Sequence, residues 1–223
     1  MPQFQAQFGD YTDMFIQLFH EVDPAFEFII YDLRKGDIPR DLDECEAYIT
    51  TGSRVSTYDK DVAWIPPFID LIRKLHKAKK KLVGICFGHQ LIADALGGKT
   101  VNSDKGWGVG VSINQIDHTQ PWMKPPLSSI NIIVSHQDQV TELPNNAVLV
   151  AKSEFCPNYM IQIDEHILTI QGHPEFSKQY SETLMTHRKD LLGENTYRKG
   201  IASLSLKTDE KTVMQWIVNF MQR

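Results

Sequence analysis

The chain has 223 residues, 42% hydrophobic and 23% charged, with a formal net charge of −5, proportions ordinary for a soluble globular protein. The acidic balance argues against a nucleic-acid partner, and no apolar run approaches the ~18 residues of a membrane span. Three cysteines (Cys45, Cys86, Cys156) form no disulfide framework and no CxxC or HExxH spacing is present, so a reduced, cytoplasmic setting without a metal or other cofactor is expected.

Residues 1 to 8 are polar and aromatic without a clear period. Tyr11, Met14, Phe15, Leu18 and Phe19 then recur at helical spacing and predict an amphipathic helix over about 10–21. Phe26 to Tyr31, β-rich and bounded by Pro24 and Asp32, reads as a strand, and Leu33 to Leu42 as loop. A second strand, Ala47 to Thr50, ends in the small polar turn Thr51-Gly52-Ser53. Trp64, Phe68, Ile69, Leu71, Ile72 and Leu75 form a helical stripe, with Pro66 and Pro67 inside its first turn or two. The apolar run Leu82 to Ile85 is a third strand, and Leu91 to Leu96 a helix stopped by Gly97-Gly98. This alternation predicts an open, mostly parallel α/β sheet flanked by helices, whose ligands bind beyond the strand carboxyl ends.

After Gly98 the pattern changes to short strands: Val109 to Ile113, parts of Ile130 to Val134, Tyr159 to Ile163, and Ile167 to Ile170. An antiparallel or mixed extension is expected there. Helical periodicity returns from Ser177. The final helix, capped by Thr208 or Asp209, aligns Val213, Trp216, Ile217, Phe220 and Met221. No repeat or linker divides the chain, so residues 1–223 read as one domain.

Two motifs carry chemistry. In Gly84-Ile85-Cys86-Phe87-Gly88 the strand turns abruptly into a helix, the geometry of a nucleophile elbow, with glycines where crowding or a positive φ would demand them. The turn leaves Cys86 at a helix N-terminus, where unpaired N–H groups favour a thiolate. The alternative is a buried structural cysteine, since free cysteine is among the most buried residue types. The second motif, Gly172-His173-Pro174-Glu175, also follows a strand. Proline keeps His173 extended, so positions 173 and 175 point to one side and the carboxylate can hold the imidazole. That is the base-and-orienter half of a nucleophilic triad.

Together these motifs resemble the class I, triad-type glutamine amidotransferases, and within them the stand-alone proteins related to the glutaminase domain of GMP synthase. Tyr31-Asp32-Leu33-Arg34, Gly106-Trp107-Gly108-Val109-Gly110 and Ser135-His136-Gln137-Asp138 support the resemblance. It implies a flavodoxin-like sheet with Cys86 as nucleophile, His173 as acid and base, and Glu175 orienting it. It also implies an oxyanion site at the Gly52 and Phe87 amides, with substrate held by Gln90, Ser135, His136 and Gln137. The implied reaction is hydrolysis of the γ-amide of glutamine through a γ-glutamyl thioester, with ammonia passed to a separate synthetase subunit. The alternatives are a γ-glutamyl peptidase and, from a different class, a non-catalytic regulatory module. Two departures stand out. The family's Gly-Gly-Pro turn is here Thr51-Gly52-Ser53, and its short first strand has no counterpart before the first helix. Loss of a central strand would leave backbone groups unpaired.

Overall fold

The computed structural model describes residues 2–223. On one side of its sheet, strands β1 (Ala47–Thr50), β2 (Lys81–Ile85) and β9 (Ile167–Ile170) are parallel neighbours. Four more strands, β8 (Met160–Ile163), β7 (Ala147–Lys152), β4 (Gly108–Ile116) and β5 (Ser129–His136), add antiparallel ladders. Together they make a seven-stranded sheet in the order β1-β2-β9-β8-β7-β4-β5. The expected α/β sheet and its antiparallel extension are both present, and the extension is the larger part. A small separate ribbon pairs β3 (Lys99–Asn102) with β6 (Asp138–Glu142).

Strand β2 shows why both faces of the sheet are covered. Its alternation sends Leu82 into one apolar cluster, with α3 (Ile65–Lys77) and α4 (Phe87–Ala95), while Val83 and Ile85 enter another. That second cluster is built on α2 (Tyr11–Val22) and α8 (Glu210–Met221). Pro66 and Pro67 fall in the first turn of α3, where a missing N–H has no helical acceptor to lose. Asp10 caps α2 through a reciprocal capping box with Asp13, and Asp209 occupies the cap position of α8. The carboxylate of Asp209 is drawn instead to the Asn131 amide, tying α8 to β5.

The start of the chain adds one element and removes another. Pro2–Phe8, which carries no clear period in the sequence, forms a short helix, α1. Its residue Phe4 belongs to a third apolar cluster, together with Phe176, Tyr180 and Leu184. Residues 26–31 form no helix and join no sheet, so the strand predicted there does not form. Phe26 and Phe28 pack against the α2/α8 core, whereas Ile29 and Ile30 are 57% and 61% exposed. Apolar content alone does not make a strand, because the ladder needs a neighbour with free backbone groups. Among the described residues β1 pairs only with β2 and is the sheet edge.

Candidate active site

Three consecutive parallel strands end at one pole of the sheet. Register pairs Thr50 with Gly84 and Ile85 with Ile170. Gly52, Cys86 and His173, each one to three residues past its strand, therefore converge although 34 and 87 positions separate them in the chain.

Cys86 has φ 52° and ψ −100°, a left-handed conformation unusual for a residue with a Cβ. Its N–H donates to the Ile170 carbonyl at 2.8 Å and its carbonyl accepts from the Gln90 amide at 3.1 Å, so both flanks of the turn are pinned. The expected positive φ thus falls on the cysteine itself. The glycines serve close approach: a Cβ at Gly84 would meet Ile92 Cδ1 at 2.6 Å, and one at Gly88 would collide with the Thr50 side chain. Only glycine lets α4 start this near β1 and β2. The Phe87 amide, first in α4, and the Gly52 amide find no hydrogen-bond acceptor among the described residues.

His173 Nδ1 stands 2.6 Å from Glu175 Oε1, and both side chains are buried. Pro174 and Glu175 form a turn rather than the extended chain expected, closed by the Phe176 amide donating to the His173 carbonyl at 3.3 Å, and it is this turn that brings the carboxylate to the imidazole. The His173 amide donates to the Ile133 carbonyl at 2.8 Å, and Phe176 stacks flat on the imidazole with centroids 3.9 Å apart. Burial by itself would push the imidazole pKa down. The Glu175 carboxylate and the Cys86 sulfur outweigh it and hold His173 up at about 10. An imidazole so placed favours its charged form beside the sulfur, and a thiol can pass its proton to such a ring. Gly52 closes the group from the side: a Cβ there would lie 2.8 Å from His173 Cε1 and 3.6 Å from Cys86 Cβ.

Cys86 and His173 line a cavity of about 20 Å³ with Tyr11, Ser53, Ser135, Phe176, Leu184 and Arg188. That is room for about one water molecule. Ser135 faces this space, where its hydroxyl accepts from Arg188 Nη1 at 3.2 Å. Gln90, His136 and Gln137 do not line it. The Gln90 amide donates to the Asp138 carbonyl at 2.8 Å and to Gln171 Oε1 at 3.0 Å. His136, neutral because burial lowers its pKa to about 4, turns Nδ1 to the Asp138 carbonyl. Gln137 donates to Asn102 Oδ1 at 3.1 Å. The Asp138 carboxylate accepts from Ser56, Tyr58 and Asn102, fastening the loop after Gly52 to the β5–β6 turn.

Four neighbours of the thiol and imidazole were not visible in the sequence. Gln171 Nε2 donates to Cys86 Sγ at 3.6 Å, Phe176 stacks on His173, and Tyr11 and Arg188 wall the cavity. Gln171 and Phe176 flank the Gly-His-Pro-Glu motif and could have been found by extending it by one residue each way. Tyr11 and Arg188 arrive from remote helices with no local signal.

The chain matches the family model for glutamine amidotransferase class-I over residues 53–190. It belongs to the class I glutamine amidotransferase family. Gamma-glutamyl peptidase 3 of Arabidopsis thaliana is 34% identical over 180 residues, 77% of this chain and 71% of the relative. The GMP synthase (glutamine-hydrolyzing) subunit of Pyrococcus abyssi is 34% identical over 115 residues, 51% of this chain and 61% of that one. The crystal structure of a glutamine amidotransferase from Thermotoga maritima shares the fold with a TM-score of 0.74 at 20% identity. That match covers 94% of this chain and 90% of the other. No helix among the described residues is long and apolar enough to cross a membrane.

Proposed function

We propose that this class I glutamine amidotransferase family member hydrolyses γ-glutamyl amide bonds by nucleophilic catalysis from Cys86, with γ-glutamyl peptides as its substrate class. The observation that carries the reading is the strained cysteine at the head of α4, in one cavity with an imidazole that Glu175 grips at 2.6 Å. In this reading the Cys86 thiolate attacks the γ-carbonyl carbon, and the displaced π electrons move onto oxygen. The free amides of Gly52 and Phe87 stabilise that oxyanion. His173 gives its proton to the departing amine as the C–N bond breaks, leaving a γ-glutamyl thioester. Water then loses a proton to His173 and attacks the thioester, releasing glutamate and the thiol. Glu175 keeps the imidazolium oriented throughout. Ser135 and Arg188 offer a hydroxyl and a positive charge for the α-amino-acid end, with Gln90, His136 and Gln137 supporting that wall from behind. Because the cavity holds about one water, Tyr11 or its neighbours must yield to admit substrate.

The peptide reading is favoured by the similarity to a γ-glutamyl peptidase across most of both chains. Glutamine as substrate, with ammonia delivered to a separate synthetase subunit, is the second reading, favoured by the similarity to a GMP synthase subunit. Product release from glutamine and from a set of γ-glutamyl dipeptides, by wild type and Cys86→Ala, tests both. Turnover of dipeptides over glutamine that vanishes in Cys86→Ala is the expected result. Preference for glutamine supports the second reading, and activity unchanged in Cys86→Ala rejects both.

A further inference from the structure

At the pole opposite Cys86, helix α3 ends beside the turn joining β8 to β9. His76 lies in the last turn of α3, while Asp164 and His166 belong to that turn. His76 Nδ1 is 3.0 Å from His166 Nε2, and the rings stack at 5.1 Å with 21° between planes. Ligand atoms of His76, Asp164 and His166 all lie within 4.8 Å of one another.

We propose that His76, Asp164 and His166 form a binding site for a divalent first-row transition-metal ion, with zinc the best match, tying the end of α3 to the β8–β9 turn. The distances suit it. Two nitrogens on a tetrahedral zinc, each ~2.0–2.1 Å from the ion, stand roughly 3.3 Å apart, so the imidazole pair must open by a few tenths of an ångström and exchange its mutual hydrogen bond for two lone pairs turned to the ion. Asp164 spends its main chain on Asn146 and Gln162, and its exposed carboxylate is free to close the third position. Two imidazoles and one carboxylate suit zinc better than magnesium or calcium, which prefer all-oxygen sets. The opposing charge nearby is Lys81, whose ammonium is engaged by the Glu165 carbonyl at 2.9 Å and the Phe220 ring at 4.6 Å. Set at the far end of β2 from Cys86, the ion would brace the fold and take no part in the proposed chemistry.

The test is calorimetric titration of zinc chloride into the full chain carrying Cys86→Ala and Cys45→Ser, which leaves the buried Cys156 as the remaining thiol. One equivalent is expected to bind and to raise the thermal midpoint. Adding His76→Ala or Asp164→Asn, both away from the buried core, should weaken binding by about 10-fold or more and abolish that rise. Cobalt(II) should give a tetrahedral visible spectrum that His76→Ala loses. Circular dichroism verifies that the variants fold. Equal zinc affinity with and without His76 overturns the site, and an unchanged affinity in Asp164→Asn overturns the three-ligand assignment.

Discussion

Phe176 lies flat on the His173 imidazole, ring centroids 3.9 Å apart and planes 7° from parallel. The stack follows from chain geometry: the Phe176 amide donates back to the His173 carbonyl at 3.3 Å, curling the ring under the imidazole. Tyr11 and Tyr180 then pack against Phe176, so apolar contacts from two further helices fix the platform. Phe176→Ala should cost about 3–5 kcal/mol of stability, while Phe176→Leu keeps most of the buried volume and should cost roughly 1–2. If the platform orients the base, Phe176→Leu lowers kcat for γ-glutamyl substrate far more than it raises KM. Urea unfolding alongside steady-state kinetics separates the two effects.

The left-handed backbone at Cys86 stores strain that glycine would not feel. Cys86→Ala keeps the Cβ and the strain; Cys86→Gly removes both. The glycine variant should be more stable than the alanine variant by about 1–2 kcal/mol, despite the usual entropic penalty of glycine. Both should be inactive. Thermal melts of the pair decide it: an alanine variant equal to or better than glycine would mean the turn is unstrained.

Glu175 sets the charge state of His173. Because the folded pKa of His173 is raised above 6.5 to about 10, its protonation adds stability that is fully present below pH 6.5 and is lost as pH rises through about 10. In Glu175→Gln the largest upward influence is gone while burial remains, so the folded pKa falls and this decline across pH 6.5 to 10 flattens or reverses. Denaturant midpoints at several pH values in that window give the slope for each protein.

Gly52 faces His173 and Cys86 with no room for a methyl group. Gly52→Ala would place Cβ 2.8 Å from His173 Cε1, so the imidazole or the loop must give way. Activity should fall by about 100-fold or more, since small displacements of reacting groups carry large rate costs. Stability should change by roughly 1–2 kcal/mol, because residue 52 lies outside the ladder. A variant with near wild-type kcat/KM would show that the 51–53 turn is not part of the reacting site.

Some of this molecule was legible in the linear chain because its causes are local. The stop of an apolar run at Cys86, the placing of His173 and Glu175 either side of Pro174, and the stripe from Val213 to Met221 are written in neighbouring residues, so the elbow, the imidazole–carboxylate pair and the last helix could be anticipated, although a turn and not extended chain joins His173 to Glu175. The segment from Phe26 to Tyr31 failed because a strand is a property of two chains, and its β-rich composition says nothing of whether a partner is there. Gln90 was expected to face substrate, yet its amide is committed to Gln171 and Asp138, a choice made by residues 81 and 48 positions away. Tyr11 and Arg188 reach the cavity only because α2 and α5 (Lys178–His187) close over it. Short-range sterics therefore determined which side chains carry reactive potential, whereas the register of β1, β2 and β9 and the helices packed upon them decided which of those groups meet.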